Sequence, residues 1–328
     1  MVFQILYAAA GLVLLTFAAD HLVLGSSRLA ARMRISPVVV GVVVIGLGTS
    51  APEFLVSGVA AARGDTGIAL GNITGSNILN LTLILGVAAL VAKVTVTSSV
   101  IKREVPLAVG AVVMFGLLAW AGLNVATGAV LALAAVGALA LLLRWARQGR
   151  NAELAEEVTS YTGDERGEIH EPAAAKARWT PPVWFEPIRA VLGLAGVLAG
   201  AQLLVVNASA IATDLGVPQL IIGFTLVALG TSLPELVTTI QAQRRGETDL
   251  VVGNLFGSNL FNSLAGGAVV AFAAPASAEP ASVTLVLTMI LTGGLAWALL
   301  RRGLTLTKIE GLVLITAYAL TMPLLLSA

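Results

Sequence analysis

GTSAPEFLVSGVAAARGDTGIALGNITGSNILN at residues 48–80 and GTSLPELVTTIQAQRRGETDLVVGNLFGSNLFN at residues 230–262 are two copies of one pattern. The copies align without a gap at an offset of 182 residues, and 16 of 35 positions are identical between 46–80 and 228–262. A repeat of this quality indicates that one structural unit occurs twice in the chain. The two copies therefore decide how the rest of the sequence is organised.

The composition around the repeat is that of a membrane protein. Hydrophobic residues make up 57% of the 328 residues, charged residues only 11%, and the mean hydropathy is +0.94. Soluble domains carry about 25% charged residues, because their surfaces face water. The net charge of +1 gives no reason to expect nucleic acid as a partner, and the absence of cysteine excludes thiolate chemistry. We expect the lipid bilayer to be the main surrounding, with no obligate protein partner evident.

Ten apolar stretches are long enough to cross a bilayer, which takes about 20 residues. They lie near 3–27, 36–62, 67–92, 104–121, 124–144, 185–212, 217–243, 248–273, 281–300 and 306–326. The sequence thus predicts an all-α membrane protein with ten transmembrane helices, arranged as two inverted-topology repeats of five. Residues 1–147 form the first repeat, the polar stretch 148–182 is a cytoplasmic linker, and residues 183–328 form the second repeat.

The basic residues predict an orientation. With the N-terminus outside, all of the 19 Lys and Arg except Arg63 fall in the connections on one side or in the span ends next to them, which the positive-inside rule makes cytoplasmic. We therefore expect a multi-pass protein of the cell (inner) membrane with both termini on the non-cytoplasmic side. Five spans per repeat is an odd number, so the second copy enters from the opposite side. Inverted repeats place their ion site near the midplane.

The motif GTSxPE contains groups that hydrocarbon disfavours. Pro52 lacks an N–H group and its ring clashes with the carbonyl of Gly48, so the helix should break there and free carbonyl oxygens near Gly46. Thr49 and Glu53 lie four residues apart, so their oxygens project from one helical face. The second copy repeats this arrangement with a proline and three further residues: Pro234, Ala228, Thr231 and Glu235.

The second motif, GNxxGSNxxN, adds a polar stripe with a spacing of four residues. The stripes are Asn72, Ser76 and Asn80 in the first copy, and Asn254, Ser258 and Asn262 in the second. Hydroxyl, amide, carbonyl and carboxylate oxygens together suit a hard cation such as Ca²⁺, which takes six to eight oxygen ligands, and suit zinc or copper poorly. Asn72 and Asn254 could instead serve only to join helices.

The two motifs contain acidic residues without basic partners. Neither motif core contains a Lys or Arg that could pair with Glu53 or Glu235. An unpaired carboxylate within a membrane costs at least a few kcal/mol, so two facing carboxylates need metal cations or protons. One divalent ion or several monovalent ions can neutralise the pair, and competition between them is a physical basis for exchange. The plainer alternative is that each glutamate is structural, either capped by backbone donors or protonated.

Paired GTSxPE and GNxxGSNxxN motifs on two five-helix repeats resemble the sodium/calcium exchangers of the cation/calcium antiporter superfamily. The resemblance implies transported Ca²⁺ and Na⁺ without a cofactor, and first and sixth helices that move across a fixed core. It implies Glu53 and Glu235 as Ca²⁺ ligands, with the carbonyls of Gly46 and Ala228 and the hydroxyls of Thr49 and Thr231. It further implies polar positions lining sodium sites: Ser50, Ser76, Asn80, Ser232, Ser258 and Asn262.

One position departs from part of the family. Some relatives, including the potassium-dependent branch, carry Asp where this chain has Asn262, and Asn cannot take up a proton. We therefore expect that potassium is not cotransported. Asp20 with His21, on the long first helix, is interpreted as a polar contact between helices or a gating element rather than a primary ligand.

Three other functions are weighed. A proton-driven Ca²⁺ exchanger is the main alternative, although its signatures around the glutamate usually differ. A passive channel could also use helices that break at the midplane, but two facing carboxylates would hold Ca²⁺ too tightly for a rapid pore. An intramembrane acid protease is the least favoured, because the neighbouring Thr, Ser and Asn are ligands rather than catalytic machinery. The sequence therefore predicts an antiporter and no enzyme.

Overall fold

The structure is a computed structural model that describes residues 1–163, 182, 184–216, 228–274 and 280–327. The helices are α1 (Val2–Met33), α2 (Pro37–Thr49), α3 (Ala51–Ala62), α4 (Thr66–Val91), α5 (Ser98–Ala121), α6 (Val125–Gly163), α7 (Phe185–Asp214), α8 (Ala228–Thr231), α9 (Leu233–Arg244), α10 (Thr248–Ala273), α11 (Val283–Gly303) and α12 (Lys308–Ser327). Two strands of two residues pair antiparallel: β1 (Val94–Thr95), which follows α4, and β2 (Thr305–Leu306), which precedes α12. The described fold is otherwise entirely helical.

Several helices match the predicted spans closely. Among the described residues, seven helices are long and apolar enough to cross a membrane, or eight spans if α2 and α3 form one bent span. The predicted span at 217–243 lies partly outside the described residues, since these resume at residue 228. The helix α12 covers the last predicted span but is not among the seven. An all-helical membrane protein is confirmed, whereas the number of ten spans stays a prediction.

The polar stretch interpreted as a linker begins as helix. We predicted a span near 124–144 and a linker at 148–182, but α6 continues to Gly163. Residues 145–163 contain good helix formers such as Ala, Leu, Glu and Arg and no proline, so the helix has no local reason to end at the last apolar turn. The linker therefore starts as a polar extension of α6, and residues 164–181 lie outside the described part.

The interior of the fold is formed by α4 and α10, the two helices that carry the GNxxGSNxxN motifs. Their most apolar windows are 78% and 83% buried, whereas those of α1 and α7 are only 22% and 28% buried. The helices α1 and α7 therefore lie at the periphery, where their exposed Leu, Val and Phe side chains can face lipid.

The repeat is visible in the local structure. Each copy has a helix break at a serine followed by Pro at the first turn of the next helix, at Ser50 in one copy and Ser232 in the other. Each copy also has a π-helical turn that starts at the last Asn of its second motif, Asn80–Ile84 and Asn262–Gly266. Such turns insert an extra residue into a helix and occur often at functional sites. The helix breaks were predicted from Pro52 and Pro234; the π turns were not.

Candidate ion site

The helix breaks place both glutamates inside the protein. The axes of α2 and α3 differ by 42°, with the break at Ser50. Glu53 lies in the first turn of α3 and Glu235 in the first turn of α9, and both residues have zero exposure to solvent. The two breaks approach each other, because Ser232 contacts Glu53 and Ser50 contacts Glu235. The structure thus brings together the two acids that the sequence singled out.

Each glutamate is contacted by the motif of the opposite copy. The Ser232 hydroxyl donates to Oε1 of Glu53 at 3.1 Å, and the Ser50 hydroxyl donates to Oε1 of Glu235 at 3.5 Å. Ser232 also lies 3.4 Å from the hydroxyl oxygen of Ser76. Because the serine from one break faces the acid of the other, the two copies enclose a single site rather than two separate ones.

Close backbone packing accounts for this crossing. A Cβ added at Gly46 of α2 would lie 2.9 Å from the backbone nitrogen of Ser258 in α10, so only glycine fits there. The Ser258 hydroxyl oxygen lies 3.1 Å from the Gly46 carbonyl and 3.3 Å from Oε1 of Glu235, so its single proton can serve either acceptor. The Ser50 hydroxyl lies 2.8 Å from the same Gly46 carbonyl, and the Ser50 backbone N–H donates to that carbonyl at 3.3 Å. The Gly46 carbonyl, which was expected to be free, therefore accepts hydrogen bonds from the backbone and from hydroxyl groups beside Glu235.

The threonines of the GTS motifs are both buried beside the helix breaks. The Thr49 hydroxyl lies 2.9 Å from the Ile45 carbonyl and 3.3 Å from Oδ1 of Asn254. Thr231 directly precedes Ser232, whose hydroxyl donates to Glu53. Ala228 is the first residue of α8; its backbone is helical, and its side chain lies outside the description.

Several buried polar atoms of the site have no hydrogen-bond partner within the described structure. These are Oε2 of Glu53, Oε2 of Glu235, Oδ1 of Asn80, and both amide atoms of Asn262. A buried polar atom without a partner costs about 1–3 kcal/mol, and an ionised oxygen costs more. Four residues of the predicted site thus each present an oxygen that protein donors leave unsatisfied, and a bound cation would stabilise these oxygens.

Asn72 and Asn254 do what the plainer interpretation expected. The Asn72 amide donates to the Glu53 carbonyl at 3.3 Å and to the Ser57 hydroxyl at 2.9 Å. The Asn254 amide donates to the Glu235 carbonyl at 3.3 Å and to Thr238 at 3.0 Å. These amides therefore fix α3 on α4 and α9 on α10, and so position the glutamates.

A buried polar network between α4 and α10 was not predicted from the sequence. The Asn77 amide donates to the Ser263 hydroxyl at 2.9 Å, and the Asn259 amide donates to the Asn77 carbonyl at 2.8 Å. The Asn80 amide donates to Oδ1 of Asn259 at 3.1 Å. A signal existed, because Asn77 and Asn259 are identical across the repeat, but they lie off the stripe with a spacing of four residues. This network joins α4 to α10 directly.

No basic residue neutralises the two acids in the described structure. The ion pairs of the described residues join Glu186 to Arg28 and Arg189, Asp20 to Arg245, and Asp214 to the N-terminus. Neither Glu53 nor Glu235 takes part in one. No group of three or more His, Cys, Asp and Glu occurs among the described residues either, so the donor set is two carboxylates with neutral oxygens. Such a set suits a hard cation.

The comparisons with known proteins agree with this chemistry. The sequence profile of the family described as "Sodium/calcium exchanger protein" matches residues 3–146 and 186–326. The CaxA protein of Alkalimonas amylolytica is 37% identical over 325 residues, which cover 97% of each chain. The inner membrane protein YrbG of Escherichia coli K12 is 33% identical over 88% of this chain and 86% of its own length.

A solved structure of the sodium-calcium exchanger NCX_Mj, soaked with Na⁺ and Ca²⁺, superposes with a TM-score of 0.83 at 28% identity, and the match covers 98% of each chain. The family profile covers both halves of this chain, and both relatives named above exceed 30% identity over most of its length. The chain is an integral membrane protein that belongs to the sodium/calcium exchanger family of cation/calcium antiporters.

Proposed function

We propose that this protein exchanges Na⁺ for Ca²⁺ across the membrane by alternating access, with Glu53 and Glu235 as the shared ion site. One observation carries the proposal. Two wholly buried carboxyl groups face one site, each contacted by the serine of the opposite motif, and each keeps one oxygen without a protein donor. A carboxylate in such a place needs a cation, because burial of an unpaired charge costs several kcal/mol.

The charge of the site explains why two kinds of ion would compete. Glu53 and Glu235 contribute two negative charges when ionised, and the described structure supplies no basic partner for either. One Ca²⁺ balances both charges, and Na⁺ ions balance them only when more than one binds. Sharing of the same carboxylates by the two cargoes prevents their simultaneous binding, and this is what makes exchange obligatory.

The remaining oxygens divide into two groups by position. For Ca²⁺ we assign the hydroxyls of Thr49 and Thr231 and the carbonyls of Gly46 and Ala228, beside the two glutamates. The sodium positions would be lined by Ser50, Ser232 and Ser258, which lie against the glutamates, by Ser76, which lies against Ser232, and by Asn80 and Asn262, which keep atoms without protein partners. Hydroxyls that now donate to the Gly46 carbonyl would turn their lone pairs to the ion.

The proposed architecture is ten transmembrane helices in two inverted repeats of five, with both termini on the non-cytoplasmic side of the inner membrane. The recurrence of helix breaks, π turns and crossed contacts at a constant offset supports the repeat. The clustering of all Lys and Arg except Arg63 in alternate connections or in the span ends next to them supports the orientation.

The deciding experiment is Ca²⁺ uptake into proteoliposomes with gradients of Na⁺, K⁺ and H⁺ imposed one at a time. We expect an outward Na⁺ gradient to drive uptake, and K⁺ to have no effect. Uptake driven equally by a proton gradient in the absence of Na⁺ would overturn sodium coupling and favour the proton-driven alternative. Liposomes that contain the Glu53→Gln, Glu235→Gln double variant provide the matched control for leakage.

A further inference from the structure

The helices α1 and α7 pack against each other as one rigid pair. A Cβ at Gly11 of α1 would lie 2.7 Å from the backbone nitrogen of Leu204, and a Cβ at Gly193 of α7 would lie 2.6 Å from that of Leu22. Gly11 and Gly193, like Leu22 and Leu204, are 182 residues apart, so the internal repeat relates the two contacts to each other. Small residues allow membrane helices to approach this closely. We call α1 with α7 the peripheral pair.

Charged side chains strengthen the peripheral pair at one end. Glu186 of α7 is buried and lies 3.3 Å from the Arg28 guanidinium of α1 and 3.4 Å from that of Arg189. Arg189 also donates to the His21 ring at 3.1 Å. The contacts between α1 and α7 are far more extensive than those of either helix with the rest of the protein. The two helices therefore form one closely packed unit at the edge of the helices that carry the site.

Two side-chain contacts tie α1 to the site helices at this same end. Arg245 donates to both carboxylate oxygens of Asp20, at 2.7 and 2.6 Å, and Ser27 donates to Glu247. Arg245 and Glu247 form the turn between α9, which carries Glu235, and α10. We call these two contacts the Arg245 latch. A groove of about 460 Å³ opens beside it, lined by Leu12, Val13, Thr16, Phe17, Asp20 and Gln241.

The other copy of the repeat holds the parts of a second latch. The turn between α3 and α4 reads RGDT at 63–66, and the turn of the Arg245 latch reads RGET at 245–248. Both turns place their glycine at positive φ, 88° at Gly64 and 74° at Gly246. The positions on α7 that correspond to Asp20 and Ser27 are Gln202 and Ser209.

None of the contacts of this second latch is formed. The Ser209 hydroxyl oxygen is buried and has no hydrogen-bond partner in the described structure. Arg63 and Asp65 are exposed, and no side-chain hydrogen bond or ion pair is recorded for them within the described residues. The turns of the two copies thus share a similar sequence and conformation, but within the described structure only the turn at 245–248 forms these side-chain contacts with the peripheral pair.

We propose that the two turns are alternative docking points for the peripheral pair, and that the Arg245 latch holds the protein in the state seen here. When the pair shifts, Asp20 and Ser27 leave Arg245 and Glu247, and Ser209 docks on Asp65 while Gln202 docks on Arg63. An equilibrium between two such packings is what alternating access requires. The inference rests on the proposed antiport, since it names the contacts that decide which side of the membrane the site faces.

The two latches differ in strength. The Arg245 latch contains a bidentate ion pair, whereas the second latch pairs Arg63 with the neutral Gln202. The bond from Arg63 to Gln202 has one ionised partner, whereas the pair of Arg245 with Asp20 has two, which adds a Coulomb attraction and a second parallel hydrogen bond. The side chains of Arg245 and Asp20 are 33% and 37% exposed, so solvent screening reduces the difference. We expect loss of the ion pair to raise the population of the shifted state about threefold to tenfold.

Cysteine cross-linking tests the proposal directly, because the chain has no native cysteine. Ser209→Cys with Asp65→Cys reports the shifted state, and Ser27→Cys with Glu247→Cys reports the present state. Each pair is treated with a short bifunctional thiol reagent in liposomes without Ca²⁺. We expect rapid cross-linking between positions 27 and 247 and slow cross-linking between positions 209 and 65. Asp20→Asn or Arg245→Gln should accelerate the Ser209–Asp65 cross-link about threefold to tenfold.

Three further variants sharpen the test. The double variant Asp20→Asn, Arg245→Gln should accelerate the Ser209–Asp65 cross-link no more than either single variant does. Each single substitution already breaks the same ion pair, so the second substitution has nothing further to remove. Gln202→Glu should also accelerate it, since it supplies the missing charge opposite Arg63. Arg28→Gln is the matched control, because it removes an ion pair within the peripheral pair and should leave the rate unchanged.

An unchanged Ser209–Asp65 cross-linking rate in both Asp20→Asn and Gln202→Glu would overturn the proposal. An equal acceleration by Arg28→Gln would do the same, because it would mean that any lost charge loosens the helices. The readout needs no ion flux, so failure of sodium-driven Ca²⁺ uptake with an intact latch response would refute only the proposed function. Failure of the latch response with intact exchange would refute only the latch.

Discussion

Replacement of Glu53 by Gln tests the ion site most sharply. The substitution removes one of the two charges and keeps the shape of the side chain, and the amide oxygen can still accept the hydrogen bond from Ser232. The other carboxylate oxygen of Glu53 has no protein donor to lose. We therefore expect the Glu53→Gln protein to fold normally and to bind Ca²⁺ poorly.

The magnitude follows from the burial of the site. Glu53 has no exposure to solvent and no basic partner among the described residues, so a bound Ca²⁺ would lose half of its counter-charge in a region that water does not screen. Removal of one member of a buried ion pair costs about 3–5 kcal/mol. At about 1.4 kcal/mol per decade, the Kd for Ca²⁺ should rise by about two to three and a half orders of magnitude.

Thermal unfolding in detergent measures this effect without transport. At a Ca²⁺ concentration of one hundred times Kd, binding stabilises the native state by about 2.7 kcal/mol, and a hundredfold weaker site reduces this to about 0.4 kcal/mol. The Ca²⁺-induced rise in Tm should therefore nearly vanish in Glu53→Gln, while the Tm without Ca²⁺ should not fall. Ca²⁺ uptake at subsaturating concentration should fall in parallel.

Glu104→Gln is the matched control. Glu104 is only 7% exposed and also has an oxygen without a partner, but it lies in the second turn of α5, outside both motifs. Its substitution should leave the Ca²⁺-induced rise in Tm intact. Wild-type Ca²⁺ uptake and stabilisation in Glu53→Gln, or an equal loss in Glu104→Gln, would refute the assignment of the site.

Three other substitutions test neighbouring features. Asn262→Asp places a third acid among buried atoms that lack partners, so Ca²⁺ uptake should become dependent on pH or K⁺; an unchanged pH and K⁺ profile would count against a sodium position there. Asn259→Ala removes one donor from the Asn77 carbonyl, which keeps the Asn80 backbone N–H, and leaves the Asn80 amide without its acceptor; the free energy of unfolding should fall by about 1–3 kcal/mol, and an unaltered Tm would contradict this. Gly257→Ala puts a Cβ 2.6 Å from the backbone of Val42 and should cost about 1–3 kcal/mol by overpacking, whereas Gly110→Ala, with no atom within 4 Å of the added Cβ, should be tolerated.

The sequence alone was sufficient for features that depend on short stretches of chain. Apolar runs of the right length predicted the membrane helices, because hydrocarbon accepts only backbone whose hydrogen bonds are made within the segment. Pro52 and Pro234 predicted the helix breaks, since a missing N–H is a local property. The repeat predicted that Glu53 and Glu235 would share one site, because a carboxylate duplicated in mirrored positions without a base needs a common counter-ion.

Only the tertiary structure decided which groups meet. Ser50 contacts Glu235 and Ser232 contacts Glu53 because α2 crosses α10 through glycine at Gly46, and no periodicity within one helix reports such a crossing. The Asn77–Asn259 network and the Arg245 latch join residues about 180 and 225 positions apart. Contacts between residues so far apart in the chain form only when whole helices pack against each other, so they depend on the arrangement of the complete helix bundle.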